Sequence, residues 1–384
     1  MKKVALMTWY DNENYGTALQ AFSLQSIIKN YAECEIIPYK SKHPGYGVKD
    51  IVNPVLRKNL LWKIYERTFL KTQSKLYFLP EQERRKKMLS FFENKLKIAE
   101  NMDSCALAQY VNRRYAAVVC GSDQIWNPTR YDRHFFLDYV SDEIPKIAYA
   151  PSFGVSQLSD KAVCNEIKEL LSRFDFLSVR EKAGQQIVFD LLQKKVPVCL
   201  DPTLLQSKEF WNRLADESNV ALPEKYVYSY LLGRNKKHFK ASKTIAQTLG
   251  QKLIQQPYNV SDYMNNCEFV PPSDPADFLN AIRNSEFVCT DSFHGAIFAI
   301  IFEKPFVIFR RFKNTNSGSQ NSRIETLLQI VGLERRLEIN ASATKKELLN
   351  ISFEQCRNNL NVVQRESIDY LENALRKSLH CEEC

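Results

Sequence analysis

Short apolar runs alternate with helically spaced stretches from the first residues onward. "KKVALMTWY" is a run of one strand's length. "TALQAFSLQSIIKNY" then spaces Leu19, Phe22 and Ile27 as a helix does, and "CEIIPY" is a second strand. A β-α-β opening predicts a parallel sheet with right-handed crossovers. "YAAVVCGSDQIWN", "KIAYAPSFG" and "FLSVREKAGQQIVFDLL" repeat the sequence of buried strand and polar turn, and "VPVCLDPTLL" closes the series. A second series follows: "KYVYSYLLG", a helix ending at Gly250, "KLIQQPY", a helix through Asp277, Phe278 and Ile282, then "EFVCTDSFHGAIFAIIFEKPFVIF" as strand, turn, helix and strand. The reading is α/β, with two Rossmann-like doubly wound domains facing across a cleft. Residues 1–203 form the first domain, 204–345 the second, and 346–384 a C-terminal helical segment. In such sheets ligands sit beyond the carboxyl ends of the strands, where every polar turn named above lies.

Residues 54–97 break this alternation. They are basic, aromatic and helically spaced, with Trp62, Tyr65 and Phe69 among lysines and arginines. One reading lays them on an anionic membrane surface. The other packs them on the sheet as a helical insertion with a solvated basic side.

Composition narrows the class. The chain has 384 residues, 44% hydrophobic and 25% charged, as expected for a globular protein and not for a disordered one. A formal charge of +9 favours anionic partners without choosing among them. Ten cysteines are scattered, and Cys120, Cys199 and Cys289 lie in apolar strand-like runs where a reduced thiol acts as a small hydrophobe. No run reaches membrane-span length, and the opening apolar run is too short for a signal peptide's core. The expected location is cytoplasmic, with a peripheral place at the inner membrane face if the insertion binds lipid. The terminal CxxC, Cys381 and Cys384, has no second pair at matching spacing and reads as a tail rather than a metal site.

Candidate chemistry sits in the turns. "DNENYGT" offers Asn14, Tyr15 and Gly16 at a helix start, suited to an anion, with Asn12 or Asn14 as an ordinary helix cap. "CGSDQIWNP" sets Ser122 and Asp123 at a strand end, the acid placed to take a sugar hydroxyl's proton, with Trp126 to stack on a sugar ring. Arg180 follows a buried strand, either paired with Glu181 or Asp201 or forked on a carboxylate or phosphate. Arg310, Arg311, Lys313 and Arg323 surround a Gly/Ser/Asn-rich loop suited to closing over an anion. In "TDSFHGAIFA", His294 stands at a helix start. That position disfavours a cation, so an acid such as Asp291, or a bound phosphate, is expected beside it, and the imidazole suits general-acid work.

Taken in order, "NYGTALQAFSLQ", "VVCGSDQIWNP", "KIAYAPSFG", "SVREKAG", "CLDPTLL", "TDSFHGAIFAIIFEKPFV" and "SRIETLL" resemble the polysaccharide pyruvyl transferases over about residues 3 to 335. The resemblance implies a GT-B-like fold. It also implies transfer of a pyruvyl group from phosphoenolpyruvate to two hydroxyls of a glycan or lipid-linked oligosaccharide, giving a cyclic ketal in cell-surface polysaccharide synthesis. It implies no metal and no organic cofactor. A nucleic-acid-binding protein is a third reading, with only the aromatics and lysines of 54–97 in its support, and no nucleic-acid partner is expected. His294 matches the family's catalytic histidine, and Arg180 an arginine expected to hold the donor. One departure stands out: members often carry arginine two residues before this histidine, where this chain has Ser292. The missing guanidinium is expected from Arg310, Arg311 or Arg323. The alternative on the same architecture is a nucleotide-sugar glycosyltransferase.

Overall fold

In the computed structural model, the described residues are 2–40, 79–103, 105–311, 321–339 and 343–379. The first sheet contains β1 (Lys3–Met7), β2 (Glu33–Ile36), β3 (Ala117–Cys120), β4 (Lys146–Ala148) and β5 (Phe176–Leu177), in the order β2-β1-β3-β4-β5. The second contains β6 (Tyr226–Tyr230), β7 (Lys252–Gln256), β8 (Glu268–Phe269), β9 (Phe287–Thr290) and β10 (Phe306–Ile308), in the order β10-β9-β6-β7-β8. All the pairings are parallel. Val4 to Met7, Ala117 to Cys120 and Phe287 to Thr290 are buried throughout, as strands covered on both faces must be.

The helices cover these faces. In chain order they are α1 (Tyr15–Ile28), α2 (Leu79–Lys95), α3 (Leu107–Arg114), α4 (Lys161–Ser172), α5 (Lys182–Leu192) and α6 (Lys208–Ala215). There follow α7 (Lys236–Leu249), α8 (Pro275–Arg283), α9 (Phe293–Ile301), α10 (Asn321–Val331), α11 (Lys345–Leu349) and α12 (Phe353–Ser378). α7 stops where Gly250 adopts φ +68°, a left-handed helix end that glycine accommodates without a Cβ clash.

The sequence pattern gives α1 one apolar face, but the structure buries most of its circumference, Gln20, Ser23 and Gln25 included. The cause is its place between the two sheets. Tyr15 stacks on Phe278 of α8 with ring centroids 5.0 Å apart, and Gln256 at the end of β7 donates to the Tyr15 hydroxyl. A continuous apolar cluster therefore joins the two lobes, from Leu6 and Leu19 through Trp211 to Phe278 and Phe298. α12 returns to the first lobe, where Tyr370 donates to the Ala148 carbonyl and the Leu200 amide to Ser367.

The outer part of the basic insertion, with Trp62, Tyr65 and Phe69, lies outside the described residues, as do Lys313 with its loop and the CxxC cysteines. The inner part is α2, which buries Arg84, Met88, Phe91 and Phe92 and leaves Arg85 and Lys86 exposed. Among the described residues no helix is long and apolar enough to cross a membrane.

Candidate active site

Both sheets are doubly wound. In the first, the strand order reverses between β1 and β3; in the second, between β6 and β9. A crevice forms at each reversal because the neighbouring connections leave in opposite directions. The two crevices face each other across a cavity of about 540 Å³. The first lobe lines it with the β1–α1 turn (Trp9, Glu13, Asn14, Thr17) and the turn after β3 (Asp123, Asn127, Arg130). The second adds Leu232, Tyr258, Ser292, His294, Arg311 and Arg323.

His294 enters from the first turn of α9. Ser292 caps that helix, its hydroxyl accepting the Gly295 amide, which fixes the direction in which the imidazole leaves the backbone. The ring lies directly on Gly16 of α1, where an added Cβ would stand 2.2 Å from Nδ1. Only glycine permits this approach. On the other nitrogen, Nε2 lies 3.3 Å from Oδ2 of Asp201. Asp201 is buried and saturated: Oδ1 accepts the Thr203 amide and hydroxyl, and Oδ2 also accepts Arg180 at 2.6 Å. Burial alone would raise this carboxyl, but His294 and Arg180 outweigh it and hold the group well below the usual carboxylate range.

Arg180 reaches a second acid, Asp123, at 3.4 Å. Burial opposes the guanidinium's charge, while Asp201 and Asp123 more than offset this. Asp123 sits at φ +64°, a left-handed conformation rare outside glycine and best tolerated by short polar side chains. Its Oδ2 accepts the Thr17 hydroxyl at 2.8 Å. Burial would raise its carboxyl too, but Arg180, His294 and Arg323 bring it below the usual value. Asp123 therefore accepts hydrogen bonds readily and takes up a proton poorly. Arg323 is nine-tenths buried. Burial, then the like charge of Arg180, pushes it down to about 9, so it is protonated at neutral pH at a cost that an anion in the cavity would relieve.

Several expected site residues take other places. Asp291 does not face His294: its two oxygens accept the Leu232 and Gly233 amides, bracing the turn after β6, and Asp201 is the acid beside the imidazole. Trp126 does not offer a ring to a sugar. It is fully buried, stacked on Phe136, with its indole N–H on the Phe135 carbonyl. Arg180 lies behind the cavity wall as a buried partner of Asp201 and Asp123, with its guanidinium 4.8 Å from the Phe293 ring centroid. Arg310 pairs with Glu338 and Glu325 away from the cavity. Ser122 donates to the Ala150 carbonyl inside the fold, and Tyr15 belongs to the seam between the lobes. Asn14 both caps α1, accepting the Gly16 and Thr17 amides, and lines the cavity. Where Ser292 replaces the expected arginine, Arg311 and Arg323 bring guanidinium groups to the same cavity.

Opposed switch points across an arginine-lined cavity define a two-lobed α/β fold of the GT-B-like kind. UDP-GlcNAc 2-epimerase from Neisseria meningitidis bound to UDP-GlcNAc is similar at TM-score 0.50 and 12% identity, covering 97% of this chain and 100% of that one. A wall teichoic acid polymerase gives 0.49 and 12% over 99% and 88%, and the 2-epimerase from Rickettsia bellii 0.48 and 10% over 100% and 99%. At these identities the likeness concerns the fold alone, and the Neisseria structure carries it. No curated protein sequence matches the chain. The chain belongs to the polysaccharide pyruvyl transferase family, a family of transferases matched over residues 14–311, a span that holds Asn14, Thr17, Asp123, Ser292, His294 and Arg311 of the cavity lining.

Proposed function

We propose that the chain transfers a pyruvyl group from phosphoenolpyruvate to two hydroxyls of a glycan sugar, forming a cyclic ketal. The observation that carries this reading is His294, braced by Asp201 on Nε2, in a cavity that also presents Arg311 and Arg323. The donor brings a carboxylate and a phosphate, and two guanidinium groups from the second lobe match both chemically. Protonation of the donor's methylene by the imidazolium leaves an oxocarbenium-like carbon, and one sugar hydroxyl adds to it. Asp123 accepts the hydrogen bond that orients this hydroxyl. Phosphate then departs with its bonding electrons and the second hydroxyl closes the ring. Of the two hydroxyl protons released, one restores the imidazolium and the other leaves with phosphate. Arg180 acts through Asp201 and Asp123 rather than on substrate.

The test is thermal unfolding in the presence of candidate donors. Phosphoenolpyruvate at 100 times its Kd adds about 2.7 kcal/mol of stability. Stabilisation by uridine diphosphate and not by phosphoenolpyruvate would instead favour a nucleotide-sugar glycosyltransferase. His294→Ala is expected to keep the fold and lose ketal formation, read by mass spectrometry of the product glycan. Near-normal turnover in that variant would exclude His294 as the acid.

A further inference from the structure

Beside the main cavity lies a second hollow of about 250 Å³, entirely on the first lobe. The two share Trp9, Asn12 and Arg130. Tyr39 and Lys40 lead on from it to a third hollow of about 430 Å³ beside the end of β2. A continuous groove therefore runs from His294 across the first lobe, away from Arg311 and Arg323.

The middle hollow is built to hold one polar, anionic unit. Trp9 is half-buried and its ring is fixed edge-on against Phe135, with centroids 6.1 Å apart. The Arg130 guanidinium lies 5.6 Å from the Trp9 ring centroid, an arrangement that holds its planar fork without using its N–H donors. Two cations line this hollow. One acid, Asp11, lines it as well and lies 3.5 Å from Lys40, whereas among the described residues no carboxylate is within ion-pair distance of Arg130. An arginine over an aromatic platform, with no carboxylate partner among the described residues, at the junction of two hollows, fits a carboxylate or phosphate carried on a sugar.

We infer that this groove seats an acidic glycan: the sugar modified at His294 is followed by a neighbouring unit whose anionic group is held by Arg130 above Trp9. This rests on the proposed glycan-acceptor reading and adds the acceptor's charge to it. The donor's anions are met from the opposite lobe, so the two sets of anions do not compete for one guanidinium.

The experiment measures Kd by NMR titration, without donor, for three probes: a neutral glucose disaccharide, the same disaccharide with glucuronic acid, and one carrying a glycosyl phosphate. Wild type is expected to bind one or both acidic probes at least about tenfold more tightly than the neutral one, the scale of a charge-assisted hydrogen bond. Which acidic probe gains assigns the anion as carboxylate or phosphate. Arg130→Ala should bring the three probes within about twofold of each other, and Arg130→Lys should restore part of the preference. Trp9→Ala should weaken all three. Equal or absent binding of acidic and neutral probes by wild type overturns the inference, as does an acidic preference that persists in Arg130→Ala. Failure of phosphoenolpyruvate to bind wild type, with the acidic preference intact, would count against the pyruvyl reading and leave the groove assignment standing.

Discussion

Gly16 sets how close the imidazole comes to the first lobe. A methyl group at this position would overlap the His294 ring, so Gly16→Ala is expected to push the ring off Asp201. With His294 as the acid proposed above, turnover should fall by at least about 100-fold while circular dichroism is unchanged. Asp201→Asn tests the other side of the ring. It removes one partner of a buried guanidinium, a change that costs about 3–5 kcal/mol. The Asp201 carboxyl is depressed in the folded state, so its contribution is present above the ordinary carboxylate range, about pH 4, and fades as pH falls below it. The gap in melting temperature between wild type and Asp201→Asn should therefore be wide at pH 7 and narrower at pH 3. His294, Asp123, Asn14 and Ser292 were legible because each sits at a strand-to-helix turn, where a polar residue beside an apolar run signals a site. Asp201 was legible only as a partner of Arg180. Its place beside His294, 93 positions away in sequence, comes from docking one lobe on the other. "CLDPTLL" held the only local signal, an acid at a strand end before proline. Trp126 misled because an aromatic in a polar turn looks the same whether it faces a sugar or Phe136.

At the scale of elements, α2 is the main addition to the two-sheet plan. Arg84 donates to the Glu13 carbonyl and carboxylate and to Glu81, while Tyr263 of the second lobe donates to Glu81. Lys87 and Lys95 reach Asp277 and Glu217. The helix thus spans both lobes and holds Glu13, a wall of the cavity. Arg84→Ala should cost about 1.5–3 kcal/mol, as for a hydrogen bond to a charged group, and raise the acceptor KM. Arg85, whose ion pair with Glu13 is solvent-exposed, should cost under about 1 kcal/mol when replaced by alanine and leave KM unchanged. Urea titration and steady-state kinetics check both. The sequence showed a basic aromatic insertion, but period alone does not distinguish a helix resting on protein from one resting on lipid. Met88, Phe91 and Phe92 resolve this for α2, whose apolar side is covered by the fold. Nine of the ten described strands were legible, most of them as apolar runs of the kind that buried parallel strands produce, whereas β8, two residues with Glu268 exposed, gave no such run.

For the whole molecule, the seam decides how freely the lobes move. Small polar interfaces let domains swing, whereas large apolar ones do not. Here Tyr15, Phe278, Trp211 and Phe298 belong to one cluster continuous across both sheets. Phe278→Ala should cost about 3–5 kcal/mol and lower the melting point of the entire chain. Calorimetry should show a single transition whose van't Hoff and calorimetric enthalpies agree; two separate transitions would show that the lobes are independent.

The imidazole and the carboxylate that steadies it come from opposite banks of that apolar joint. Under the proposed mechanism, catalytic competence is therefore a readout of assembly: in a denaturant series, turnover and far-ultraviolet ellipticity should vanish at one midpoint, with no folded but inactive species between them.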